Sequence, residues 1–211
     1  MEAIEQSRMN STTLFSLLVV LGAVLGTTLS FIVPSSDRQQ TIEWLDNPRN
    51  ISNFRLETDA GEIDNDALVG CWTIVSFGFL NCPDICPTSL SQLSALSTRL
   101  EEVNFENDMA YVFVSVDPSR DSIGEIGNYV RHFSPSFLGA TGTAEQLKGL
   151  ARDLGVQFKV TPGSDEYAVA HSVTFSIIDP EGTFRGRFRP GFNVANFVHD
   201  FTSKLKPGYQ L

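Results

Sequence analysis

Cationic side chains are scarce: 15 Lys and Arg stand against 25 Asp and Glu, for a formal net charge of −10 and an isoelectric point near 4.7. Nothing in the chain resembles a basic patch, so a nucleic-acid partner is excluded, because a phosphate backbone is held by clustered Lys and Arg. Cysteine is scarcer still, with 3 in 211 residues, an odd number that leaves one thiol without a mate. No internal repeat or low-complexity tract occurs, which excludes a repeat array. What remains, 42% hydrophobic and 19% charged, is ordinary globular material with enough chain to bury one core. Uncharged runs of about 18 residues or more, the length a membrane-spanning helix needs, are also missing, with one exception.

The exception is residues 12–33, which carry no charge and include Leu14-Phe15-Ser16-Leu17-Leu18-Val19-Val20-Leu21. At about 1.5 Å per residue, a helix over this run crosses a bilayer core of about 30 Å. The run is longer than the apolar region of a cleaved signal peptide, and no Ala-x-Ala site or lipid-bearing cysteine follows it. An uncleaved single-pass anchor over 12–33 is therefore expected, after a short segment, 1–11. Arg8 precedes the run and Arg38 and Arg49 follow it, so charge bias alone does not set its orientation. Glu2 and Glu5 are unlike an Arg-rich, acid-poor mitochondrial presequence. They point to a bacterial inner-membrane protein whose soluble domain faces the periplasm, where disulfide chemistry is permitted. Residues 34–49 are polar and read as a tether, leaving 50–211 as the folded domain.

Within that domain, Phe54-Arg55-Leu56 followed by Asp59-Ala60-Gly61-Glu62 predicts a hairpin. Trp72–Phe77 and Tyr111–Val116 are apolar runs that predict strands, the second covered on both faces. Leu90, Leu93, Leu96 and Leu100 mark a first helix, and Ile123, Ile126, Val130 and Phe133 a second. A short strand follows at Phe137-Leu138-Gly139. The third helix has Thr143 as N-cap and Gly155 as its stop. A strand over 173–178, a turn at Asp179-Pro180-Glu181-Gly182, a returning strand over 183–188 and a helix over 193–204 complete the chain. This order describes an α/β fold, a mixed sheet with helices on both faces.

The stretch with chemistry is Phe77-Gly78-Phe79-Leu80-Asn81-Cys82-Pro83-Asp84-Ile85-Cys86-Pro87. It ends a strand, places two thiols four apart, and opens a helix in whose first turn proline is tolerated. A cysteine at a helix N-terminus is expected to have a lowered pKa. Residues four apart share a helix face, so Cys82 and Cys86 suit either a redox-active pair or a soft metal site completed by a third ligand. Two inert buried thiols would give the same spacing. Asp84 reads as a helix N-terminal acid or a weak ligand, and Cys71 as a small buried hydrophobe.

Phe79–Pro87, then Val114-Ser115-Val116-Asp117-Pro118-Ser119-Arg120-Asp121, then Phe137–Thr143, and finally His171-Ser172 ahead of Ile177-Ile178-Asp179-Pro180-Glu181-Gly182 resemble, in order, the signature blocks of the Sco (SenC) family. These are membrane-anchored, thioredoxin-like proteins that help deliver copper to cytochrome c oxidase. The resemblance covers roughly residues 50–205. It departs from the family where Ser122-Ile123 stands in place of a frequent Thr-Pro, and Cys71 is an additional thiol.

The resemblance implies a thioredoxin-like fold and a copper site of Cys82, Cys86 and His171. Of the three histidines, His132 and His199 lie within helical patterns, whereas His171 precedes the strand that runs beside the cysteine turn in this fold. Asp117, Arg120 and Asp121 would brace the loops nearby. Two thiolates and an imidazole suit Cu(I) and, with a further donor, Cu(II). Binding needs both sulfurs reduced, so a Cys82–Cys86 disulfide would expel the metal. The implied partners are the copper domain of cytochrome c oxidase subunit II and a thioredoxin-like reductant. The alternative is a thiol-disulfide oxidoreductase that needs no copper; a peroxidase-like enzyme or an anchored scaffold of the same fold would carry the same thiols.

Overall fold

The computed structural model describes residues 40–103, 105, 108–161 and 168–205. The anchor expected over 12–33 and the segment before it lie outside the described residues. Among the described residues, no helix is long and apolar enough to cross a membrane.

Strand β4 (Trp72–Gly78) is buried along its whole length, and successive side chains point to opposite faces of a sheet. It therefore feeds two cores. Trp72 and Ile74, with Tyr111 and Phe113 of β5 (Met109–Ser115), pack against helices α1 (Ile85–Glu102), α2 (Ile123–Arg131) and α4 (Val194–Lys204) through Leu93, Leu96, Ile126 and Phe197. Val75 and Phe77, with Val112 and Val114, pack on the other face against α3 (Ala144–Asp153) through Leu147 and Leu150.

The remaining strands are β1 (Glu43–Asn50), β2 (Arg55–Thr58), β3 (Gly61–Asp64), β6 (Phe137–Thr141), β7 (Phe158–Thr161), β8 (Ala168–His171), β9 (Phe175–Ile178) and β10 (Thr183–Phe188). The main sheet has the order β1-β10-β9-β4-β5-β6-β2-β3. Strands β4, β5 and β6 run parallel, while the outer pairings are antiparallel. This mixed sheet with helices on both faces is the expected thioredoxin-like fold. The expected punctuation is present as well: Thr143 caps α3 in a reciprocal box with Gln146, and Gly155 follows the helix at φ +68°, the left-handed stop that glycine adopts without strain.

Two features depart from expectation. Part of the tether expected over 34–49 is strand instead, since β1 begins at Glu43 and pairs with β10, Glu43 opposite Arg187 and Asn50 opposite Thr183, while residues 34–39 lie outside the described residues. Ile42 is fully buried, and Trp44 stacks on Phe201 with ring centroids 6.0 Å apart. The strand signal is hidden because β1 is an edge strand: it contains Pro48, its register shifts between Trp44 and Arg49, and its residues face mostly solvent. A separate two-stranded sheet, β7–β8, has no counterpart in the sequence-based expectation, and it carries His171.

Candidate metal centre

The site begins where β4 ends. After Gly78 the chain turns through Phe79, Leu80 and Asn81, and the Cys82 N–H donates to the Phe79 carbonyl at 3.3 Å. Asp121, which is 2% exposed, holds this turn: its Oδ2 accepts from the Leu80 N–H at 2.9 Å and from the Ser115 hydroxyl at 2.6 Å. Ser115 Oγ in turn accepts from the Asp117 N–H at 3.1 Å, and Arg120 Nε meets the buried Asp117 carboxylate at 2.6 Å. Asp121 thus braces the turn that leads to the thiols, while Asp117 and Arg120 brace their own loop beside it. Asp84 is the N-cap of α1, which places Cys86 in the first helical turn, pointing back toward the sheet.

Gly78 makes room for that sulfur. A Cβ at this position would lie 3.0 Å from Cys86 Sγ and 2.5 Å from the Phe113 ring, so a residue with any side chain would push the thiol away from the strand. The sequence pattern alone does not single out this glycine, because the contact is with a residue on another element.

His171 arrives on the last residue of β8, opposite Phe158. The base of the hairpin is closed by the Ser172 N–H to the Gln157 carbonyl at 2.8 Å and by the Gln157 N–H to Ser172 Oγ at 2.9 Å. His171 is therefore fixed by strand pairing rather than carried on an open loop. Its Nδ1 lies 3.2 Å from the Ser172 carbonyl oxygen, which can only accept. The neutral ring thus carries its proton on Nδ1, leaving the Nε2 lone pair aimed at Cys86 Sγ, 3.8 Å away. Burial holds the imidazole pKa below its ordinary value, with the Ser172 carbonyl opposing, so the ring remains neutral and able to donate to a metal. The Phe79 ring stands edge-on to it at 5.9 Å.

The ligand atoms of Cys82, Cys86 and His171 all lie within 4.8 Å of one another, close enough to hold one metal ion. All three cysteines are free thiols. The lowered thiol pKa expected of a helix N-terminus is not what the structure gives Cys86. Burial pushes that thiol up to about 12; the neighbouring Cys82 thiol and the Asp121 charge act in the same direction, and the Phe79 backbone opposes them. At 4% exposure, desolvation of the thiolate outweighs the helix field.

The other candidates lie apart from this group. Asp84 is exposed, and its carboxylate receives the Thr88 hydroxyl at 3.5 Å. His132 sits exposed at the end of α2, and His199 on α4 lies beside Asp200. Cys71 is half-buried rather than buried, with Sγ 3.6 Å from Thr73 Oγ1.

Comparison with known proteins gives a consistent result. The SCO1/SenC family model matches residues 44–206. The chain is 40% identical over 133 residues to the mitochondrial SCO1 homolog 1 of Arabidopsis thaliana, covering 62% of this chain but 40% of that protein. It is 34% identical over 178 residues to a SCO2-like protein of Rickettsia felis, covering 82% of this chain and 85% of the other. The crystal structure of Arabidopsis thaliana ScoI with copper bound superposes with a TM-score of 0.67 at 34% identity, over 74% of this chain and 97% of that one. On the family match and the SCO2-like relative together, this chain belongs to the SCO1/SenC family.

Proposed function

We propose that this protein is a membrane-anchored copper chaperone that binds copper through Cys82, Cys86 and His171 and helps metallate the copper site of cytochrome c oxidase subunit II. The observation that carries the proposal is the convergence of two thiols and a neutral imidazole within 4.8 Å. Soft sulfur donors favour Cu(I), and the imidazole with one further donor accommodates Cu(II). The set has three ligands where structural zinc takes four, which suits an ion that is to be passed on by ligand exchange. The copper-bound relative of the same fold supports the choice of metal. Residues 12–33 would tether the domain to the bacterial inner membrane, facing the periplasm.

Uptake requires the proton on Cys86 to leave, since the metal binds the thiolate. His171 arrives already deprotonated at Nε2, and the Asp121 braces keep the turn in place while the sulfurs change charge. A second role follows from the proximity of the two free thiols. The more exposed Cys82, as thiolate, attacks a partner disulfide. Cys86 then displaces the partner from the mixed disulfide, so the partner gains two electrons and two protons and Cys82–Cys86 becomes a disulfide. Such a reductase would prepare the subunit II thiols for copper and would be recharged by a thioredoxin-like reductant.

Copper stoichiometry and absorption of the purified, reduced protein test the reading. The wild type is expected to hold one copper, with sulfur-to-copper charge-transfer bands. Cys82→Ser and Cys86→Ser should abolish tight binding, and His171→Ala should weaken it strongly while leaving disulfide formation intact. Cellular oxidase assembly that survives His171→Ala would leave the reductase role alone.

A further inference from the structure

Ser89 lies one helical turn after Cys86 on α1 and is 6% exposed. Among the described residues, its buried hydroxyl has no hydrogen-bond partner. It lines a cavity of about 10 Å³ together with Cys86, His171, Phe113 and Phe175, a space that holds one water at most. An unpaired buried hydroxyl costs stability, and alanine there would avoid the cost. The neighbouring α1 serines are not in this position: Ser91, Ser94 and Ser97 all have acceptors, at Pro87, Phe133 and Glu101.

Helical side chains lean toward the N-terminus, and residues three apart meet on one face. Ser89 therefore shares the face of α1 that carries Cys86, and the two residues line the same cavity. In the metal-free protein Cys86 is a thiol and a weak acceptor. Once the metal binds, its sulfur is a thiolate, a far better acceptor, in a pocket lined also by Phe113, Phe175, Thr174 and Ser76, whose hydroxyl already donates to the Val112 carbonyl at 3.4 Å. With Cu(I), two thiolates and a neutral imidazole sum to a net charge of −1, and the buried Asp121 carboxylate adds to the negative field. With Cu(II) the same ligands sum to zero. A donor on sulfur thus stabilises the reduced complex more than the oxidised one.

Resting on the copper reading above, we propose that Ser89 is a positioning residue for the metal: its hydroxyl donates a hydrogen bond to the Cys86 thiolate in the loaded site and biases the bound ion toward Cu(I). The hydroxyl is unpaired in the metal-free protein because its partner is an anion that forms only on loading.

The full chain is loaded with copper and compared with Ser89→Ala and Ser89→Thr. Three quantities are read: Cu(I) affinity by chelator competition, the Cu(II)/Cu(I) potential, and the energy of the sulfur-to-Cu(II) band. Ser89→Ala is expected to lower Cu(I) affinity about tenfold relative to Cu(II), a fall of about 59 mV for one electron, and to move the band to longer wavelength, because a sulfur without a donor is easier to oxidise. Ser89→Thr, which keeps the hydroxyl, should return both toward wild type. The metal-free Ser89→Ala protein should melt no lower than wild type, separating the effect from damage to the fold. Unchanged potential and band in a copper-loaded Ser89→Ala protein overturn the assignment and leave the chaperone reading intact. A wild type that binds no copper overturns both.

Discussion

Cys86 is kept as a thiol by the apolar walls around it, and this sets a measurable pH dependence. Burial raises the energy of the thiolate, so the folded-state pKa moves up, to about 12, from an ordinary value near 8.5. Alkylation of Cys86 by iodoacetamide in the reduced, metal-free protein should therefore rise about tenfold per pH unit from 7 to 10 without levelling; in guanidinium the same cysteine should level near pH 9. A plateau near pH 7 in the folded protein would instead show that the helix field dominates. Gly78 is the second single residue on which the site depends. Gly78→Ala drives a methyl into the Phe113 ring and against Cys86 Sγ, and should cost about 1–3 kcal/mol in denaturant unfolding while weakening copper binding. Neither property can be read along the chain, because each depends on which side chains surround the atom.

Among the elements, β1 and the β7–β8 hairpin were the least legible, and for related reasons. Helices and central strands advertise themselves through a repeating apolar face, as Leu90, Leu93 and Leu96 do on α1. β1 exposes most of its side chains and is held by backbone pairing and by Ile42 and Trp44 at one end. Ile42→Ala should therefore destabilise the domain by about 2–4 kcal/mol, seen as a lower denaturation midpoint; an unchanged midpoint would return residues 40–49 to the role of a tether. The exposed bidentate pair Arg187–Glu43 adds little by comparison, since surface ion pairs contribute about 0–1 kcal/mol. The hairpin is short and half-exposed, and its importance lies only in where it delivers His171.

At the scale of the whole molecule, a metal that binds the native state alone must stabilise it. Cu(I) at about 100 times its dissociation constant contributes about 2.7 kcal/mol, which for a domain of this size is a rise of about 5–10 °C in melting temperature. The rise should vanish on oxidation of the thiols to a disulfide, and in Cys86→Ser; a shift that persists in the oxidised protein would place the metal elsewhere. Local spacing along the chain was enough to determine the α/β order and to set Cys82 and Cys86 on one turn between a strand and a helix, because periodicity and i, i+4 geometry are properties of neighbouring residues. The resemblance added His171 as a candidate third ligand. Only the tertiary structure decided that the imidazole, 85 residues from Cys86, presents its free nitrogen to the sulfur. It also decided that burial rather than the helix terminus governs the thiol. Distance in space and local dielectric are set by packing between elements far apart in the chain, and no stretch of sequence contains them.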